Sequence, residues 1–198
     1  MKWEGAFRVP GAPAEVVLEF ADARRMAAHF PGAEVEEVAE DGSLVGRLTV
    51  AFGPKRLVFR GKALCEADVA GLHGRITGQG ASDMRAARFK VELHWRLRDD
   101  PSAGEPTTIV TLTSAATLQG VLADFARTGG PIVAAALTEE FAKRLERDLR
   151  ERRDGRTPDH SAPAEALSAG RVAGTLARHA ARQTGQSIAR LFQPRRKN

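Results

Sequence analysis

From Ala87 to Arg98 the chain alternates without a break: Ala87, Phe89, Val91, Leu93, Trp95 and Leu97 are apolar, and Arg88, Lys90, Glu92, His94, Arg96 and Arg98 between them are charged or polar. A helix would scatter both sets around its circumference, whereas a strand, with its period of two, sends each set to one face. A strand with one apolar and one charged face belongs to an antiparallel sheet packed on one side only. Leu57, Phe59, Gly61, Ala63 and Cys65 repeat the pattern opposite Arg56, Val58, Arg60 and Lys62, and Leu44, Gly46, Leu48, Val50 and Phe52 repeat it opposite Arg47 and Thr49. Further strands are expected at Lys2–Val9, Ala33–Ala39, Leu72–Ala81 and Thr107–Leu118, giving seven in mostly hairpin order. Asp41-Gly42, Gly53-Pro54 and Pro101 to Pro106 supply turn and loop chemistry between them.

Between the first two strands, Ala14–Phe20 and Ala23–His29 read as short helices, begun after Pro13 and stopped by Pro31-Gly32. A long helical segment runs from Val121 to Arg153, with Ile132, Val133, Ala136, Leu137, Phe141, Leu145 and Leu149 at helical spacing; Gly129-Gly130-Pro131 kinks or divides it. A curved antiparallel sheet followed by one long C-terminal helix is an α+β arrangement of the helix-grip type. The domain is expected to span residues 1–153. Residues 154–163 have linker composition, and residues 164–198 form a basic amphipathic tail.

Charge supports that division. The net charge is +5, yet residues 1–150 balance to −1, with 20 Lys+Arg against 21 Asp+Glu, and residues 151–198 carry +6, with 10 against 4. In the tail Val172, Leu176, Ile188, Leu191 and Phe192 share a broad apolar face opposite Arg171, Arg178 and Arg182, a pattern suited to the headgroup region of an anionic bilayer. A protein partner, or no specific target, remains open at this level; nucleic acid is disfavoured because the folded part is neutral and Phe192 is the one aromatic among the basic residues. No run of about 18 apolar residues is present. Nor does the sequence carry a secretory leader pattern or, with its one cysteine, a disulfide framework or Cys-rich zinc site. The location expected is the cytoplasm, peripheral at the inner face of the cell membrane.

The inward positions include Gly46, Gly61, Gly74, Gly78 and Gly80, alternating with Phe52, Phe59, Phe89 and Trp95. Glycine there either bends the sheet or leaves volume unfilled; five on one face favour a cavity. With only Cys65, Ser114 and one of Thr117 or Gln119 as inward polar groups, such a cavity suits an apolar ligand bearing one or two carbonyl or hydroxyl groups. The ligand-binding residues expected are Phe52, Phe59, Phe89, Leu93, Trp95, Phe125, Ile132 and Leu137, with Gly61 and Gly78 as the space in front of them. Leucine at either glycine is expected to fill the cavity in a folded domain. No nucleophile elbow, phosphate loop or two-His metal spacing occurs, so no catalytic residue and no metal is assigned and the chain is read as a non-catalytic binder. His29, before Pro31-Gly32, is either a helix C-terminal residue interacting with the dipole or the acid/base of a cyclase, dehydratase or hydrolase of the same fold. Cys65 reads as a small hydrophobe rather than a nucleophile.

Gly5-Ala6-Phe7, Ala12-Pro13, Phe30-Pro31-Gly32, Phe52-Gly53-Pro54, Phe59-Arg60-Gly61-Lys62-Ala63, Gly78-Gln79-Gly80 and Gly120, in this order over residues 1–150, resemble the motifs of the CoxG family of carbon monoxide dehydrogenase accessory proteins. The position after Pro31-Gly32, often Cys in that family, is Ala33 here, and Gly129-Gly130-Pro131 departs from its pattern. The resemblance implies the START-like (SRPBCC) helix-grip fold of polyketide cyclases and Bet v 1-like proteins. It also implies a non-catalytic accessory role beside a molybdenum-containing carbon monoxide dehydrogenase or related hydroxylase. In this picture a C-terminal extension meets the membrane, and a bound isoprenoid quinone or lipid, not a covalent cofactor, is the cargo. A pure docking or assembly factor is the remaining alternative.

Overall fold

The alternating stretches pair into one antiparallel sheet with helices packed on its apolar face. The computed structural model describes residues 1–52, 55–82, 86–123 and 129–158, for residues 51, 52 and 55 the backbone only. Strand β1 (Lys2–Pro10) is followed by α1 (Pro13–Ala21) and α2 (Ala23–His29). Then come β2 (Ala33–Val38), β3 (Leu44–Phe52), β4 (Lys55–Asp68), β5 (His73–Ala81), β6 (Arg88–Asp99), β7 (Thr107–Gln119) and α3 (Gly130–Arg153). The order across the sheet is β1-β7-β6-β5-β4-β3-β2, so all neighbours are hairpins except β1, which pairs with the last strand from Lys2↔Ala115 to Pro10↔Thr107.

Local chemistry sets the element ends. Pro13 occupies the first turn of α1, where its missing N–H costs nothing. The Asp22 carboxylate caps α2 by accepting from the backbone N–H groups of Arg24 and Arg25 at 3.0 and 3.1 Å. Gly32, at φ +80°, turns the chain into β2; a side chain there would run into the Thr49 carbonyl. The segment read as one helix from Val121 is divided: residues 121–123 are helical, residues 124–128 lie outside the described residues, and α3 starts anew at Gly130 with Pro131 in its first turn. The two glycines and the proline favour that restart over a bend.

The core falls into two clusters. The first gathers Val9, Val16, Val17, Phe20, Met26, Trp95, Leu97, Val110, Leu112, Phe141 and Leu145, joining α1, α2 and the C-terminal half of α3 to one end of the sheet. Phe20 packs on Trp95 with ring centroids 4.8 Å apart, and Phe141 meets Phe7 and Phe20 edge-on at 6.0 and 6.1 Å. The second cluster, Val50, Leu57, Phe59, Ala87 and Leu122, lies at the other end, where β3 and β4 form a hairpin.

Two buried carboxylates tie the helices together at the first cluster. Glu19 of α1 lies 3.3 Å from Arg25 of α2 and 3.2 Å from Arg152 of α3. Asp148 of α3 accepts from His29 Nε2 at 2.9 Å and from Arg147 at 3.0 Å. Removing one member of such a pair strands a buried charge and typically costs about 3–5 kcal/mol. These pairs therefore fix α3 against α1 and α2 at its C-terminal half.

Candidate functional site

The sheet's inner face between the two clusters is lined by small side chains. Across four strands the register aligns Ala63, Gly78, Val91 and Ala116, and none of them belongs to either cluster. All four are half-buried, as are Val133 and Leu137 in the first half of α3. On the first-cluster side this line is bordered by Cys65, Ile76, Leu93 and Ser114, and on the other by Gly61, Gly80, Phe89 and Leu118. Trp95 and Phe89 stand at the two ends; their six-residue separation along β6 spans about 20 Å of extended chain.

The inward glycines do not share one role. A Cβ at Gly46 would overlap the Glu34 carbonyl oxygen, and one at Gly61 would overlap that of Gln79 and lie 2.7 Å from the Gly80 Cα. These two glycines let neighbouring backbones approach closely. Gly74 lies under the Trp95 ring and Gly80 under that of Phe89, whose Cε1 sits 2.6 Å from a built Cβ. Gly78 alone of the five faces space: its Cβ would meet Val91 Cγ1 at 3.2 Å and nothing else closer than 3.9 Å. The expectation that five glycines open a cavity is corrected to one, and leucine at Gly61 would force β4 and β5 apart rather than fill a void.

The structure distributes the residues expected to line a pocket. Trp95 and Leu93 pack with the first cluster, Phe59 and Phe89 with the second, and the Phe59 and Phe89 rings meet edge-on at 5.4 Å. Trp95 and Phe59 are buried core residues at opposite ends, with Gly78 between them. On α3, Leu137 lies on the same side as Phe141, whereas Ile132 is five residues earlier and so about 140° round the axis from Leu137. The Phe52 side chain, Phe125 and all the tail positions from Arg171 to Phe192 lie outside the described residues. Thr117 and Gln119 are outward and exposed, paired with Lys90 and Arg88, because Ala116 and Leu118 take the inward positions.

His29 is fully buried at the end of α2, paired with Asp148 and edge-on to Phe141 at 5.7 Å. That placement makes it a tie between α2 and α3, shut off from solvent and from the line through Gly78. Burial pushes the Cys65 thiol up to about 11, so at neutral pH it stays protonated and weakly nucleophilic. Among the described residues no group of three or more His, Cys, Asp or Glu is placed to hold a metal, and no helix is long and apolar enough to cross a membrane. Sequence spacing gave no sign of the ties that Glu19 makes to Arg25 and Arg152 and that Asp148 makes to His29, which cross between helices.

No family model and no curated protein matches the chain. Solved structures do. A conserved protein of Geobacillus kaustophilus superposes with TM-score 0.65 at 18% identity, covering 76% of this chain and 96% of that one. A protein of Thermus thermophilus gives TM-score 0.52 at 18% identity, over 74% and 95% of the two chains. Norcoclaurine synthase of Thalictrum flavum gives 0.51 at 10% identity, over 76% and 87%. With the sheet order and α3, these likenesses establish the START/Bet v 1-like helix-grip fold.

Proposed function

We propose that the domain is a non-catalytic carrier that holds an apolar small molecule, an isoprenoid quinone or lipid, between the inner sheet face and the first half of α3. The observation that carries this reading is the half-buried line Ala63, Gly78, Val91 and Ala116, which the two core clusters leave uncovered. An apolar chain laid along it from Leu93 toward Phe89 would gain roughly 25 cal/mol for each Å² it removes from water. Ser114, half-buried on the bordering line, is positioned to offer a hydroxyl to a carbonyl group. The non-catalytic assignment is supported by His29, the one acid/base candidate of the sequence, being fully buried in its pair with Asp148. In this proposal the basic tail, residues 164–198, meets the inner face of the membrane, and the cargo is exchanged with a molybdenum-containing carbon monoxide dehydrogenase-type oxidoreductase.

The test is mass spectrometry of organic extracts from the purified full-length protein, with an unrelated protein carried through in parallel. A quinone or lipid enriched near one per chain is the expected result. An extract matching the control, together with no uptake of added quinone, would refute carriage.

A further inference from the structure

The two ends of the sheet's outer face differ in how their arginines and lysines are paired. At the end where β4 turns into β5, Arg75 is matched by Glu66 at 2.7 Å and Glu92 at 3.9 Å, and His94 and His73 lie 2.9 and 3.9 Å from Glu92 and Asp68, while the exposed Arg96 and Arg98 of β6 make no ion pair within 4.0 Å among the described residues. At the opposite end five exposed cations gather with Asp41, near Lys62, as the carboxylate acting on them. The register places Arg60 and Arg88 on either side of Ala81, and Lys62 and Lys90 on either side of Gln79. Arg56 precedes Arg60 on the same face of β4. All five side chains are exposed, and none makes an ion pair within 4.0 Å among the described residues. Arg47, next to Arg60, is held by Glu34 and Glu36 at 2.7 and 2.8 Å and is not counted with them.

Two further observations bear on what this face meets. A hollow of about 660 Å³ opens on it between Lys2, Lys62 and Lys90, floored by Thr77 and Ala115, with Asp41 and Glu92 at its margin. Val58, between Arg56 and Arg60, is 45% exposed, and Val121 at the same end is 37% exposed. Among the described residues, 55–59 of β4 pair with β3 and pairing with β5 begins at Arg60↔Ala81, so Val58 lies on the β3–β4 hairpin beyond the first β4–β5 pair.

We infer that this end of the outer face, with Arg56, Arg60, Lys62, Arg88 and Lys90, docks on the phosphates of an anionic lipid bilayer, with Val58 of the hairpin turned toward the membrane. The inference rests on the membrane reading above and extends the contact from the tail to the folded domain. A bilayer suits an exposed valine set between arginines, because the cations meet the headgroups while the apolar group meets the acyl boundary. A single-stranded nucleic acid would call for stacking platforms, and the large apolar side chains exposed among the described residues, Leu18, Val38, Val58, Val69 and Val121, include no aromatic.

The full-length chain is sedimented with phosphatidylcholine vesicles, with and without phosphatidylglycerol. The wild type is expected to bind only the anionic vesicles, and to be released by salt. Arg60→Gln with Lys90→Gln should weaken binding about 25-fold, at about fivefold per charge removed, and the exposed positions should leave the melting midpoint unchanged. Arg75→Gln, at the end where β4 turns into β5, should have little effect. An environment-sensitive fluorophore on Val58→Cys should shift to the blue on anionic vesicles, and one on Val69→Cys, at the other end of β4, should not. Equal vesicle binding by the wild type and the double variant, or a blue shift at Val69 alone, would overturn docking by this face and leave the tail as the contact. Failure of the wild type to bind anionic vesicles would overturn both readings. Charge-dependent binding to a soluble polyanion but not to vesicles would also overturn the bilayer in favour of that class.

Discussion

Gly78→Leu separates ligand binding from folding more cleanly than any other change in the domain. The new Cβ would stand 3.2 Å from Val91 Cγ1, so that Val91 must give by a few tenths of an ångström, and 3.9 Å from Ala63 Cβ, an ordinary van der Waals contact. The backbone term is small too, since the β-propensity scale spans about 1 kcal/mol and glycine sits at its unfavourable end. For a domain of this size that corresponds to a midpoint shift of at most about 4 °C. The four side-chain carbons would occupy space that a ligand otherwise fills. At about 0.8 kcal/mol per displaced methylene the loss is about 3 kcal/mol, or roughly 200-fold in Kd. Quenching of Trp95 and Trp3 fluorescence by a soluble quinone with a short apolar tail reads the affinity, and a thermal melt reads the fold. A folded Gly78→Leu protein that binds the quinone as tightly as the wild type would refute the placement of the ligand along this line.

Gly61→Ala is expected to behave oppositely, destabilising the fold by about 1–3 kcal/mol because the methyl group meets the β5 backbone; chemical denaturation checks this. His29→Ala should lower unfolding free energy by about 3–5 kcal/mol by leaving Asp148 buried without its α2 partner. A conservative His29→Gln variant that keeps its stability but abolishes a measured turnover would reverse the non-catalytic assignment. The Ser102 hydroxyl and the Arg8 guanidinium beside it hold the Asp100 carboxyl at about 2, below its usual 3.8. Because the folded value is depressed, this contribution is present at neutral pH and fades as pH falls from about 4 toward 2. Asp100→Asn should therefore flatten the acid limb of the stability profile over that window, and acid titration followed by circular dichroism measures it.

Strand positions were legible wherever one face is apolar and the other charged. The run from Ala87 to Arg98 agrees with β6, Arg88–Asp99, to within one residue at each end, because alternation fixes both the element and the face. Gly129-Gly130-Pro131 likewise marked the start of α3. What alternation does not carry is the identity of the neighbour across the strand. Gly61, Gly74 and Gly80 look alike along the chain, yet one meets the Gln79 backbone, one the Trp95 ring and one the Phe89 ring. The register decides among them, and it is set by pairings up to 115 positions apart in sequence, such as that of the Met1 amino group with the Ala116 carbonyl beside the β1–β7 ladder. The tie between His29 and Asp148 spans 119 positions and leaves no periodic trace. The outer cationic end is hidden for the same reason: Arg60 and Arg88 are ordinary solvent-face residues until pairing through Ala81 sets them side by side.

The distribution of stabilising contacts along α3 has a direct bearing on exchange of a ligand. Phe141 and Leu145 are buried in the first cluster, and Asp148 and Arg152 carry the charged ties to α2 and α1. The other half begins at Gly130, its N-cap Gly129 offers no side chain to cap it, and its Val133 and Leu137 are only half-buried. Cooperative units with few buried contacts open at lower free energy than those in the core. If the ligand lies between the inner sheet face and the first half of α3, as proposed, opening at the start of α3 would free it while leaving the first cluster and both buried carboxylates intact. The sheet end that bears Arg56, Arg60 and Val58 is also the end of the second cluster, whose Leu122 lies eight residues before α3 begins. A domain docked on a bilayer by that outer face would hold α3 on the far side of the sheet, so an apolar cargo would have to pass around this end of the sheet to reach the helix start. Rigid anchoring and release are assigned to opposite ends of one helix.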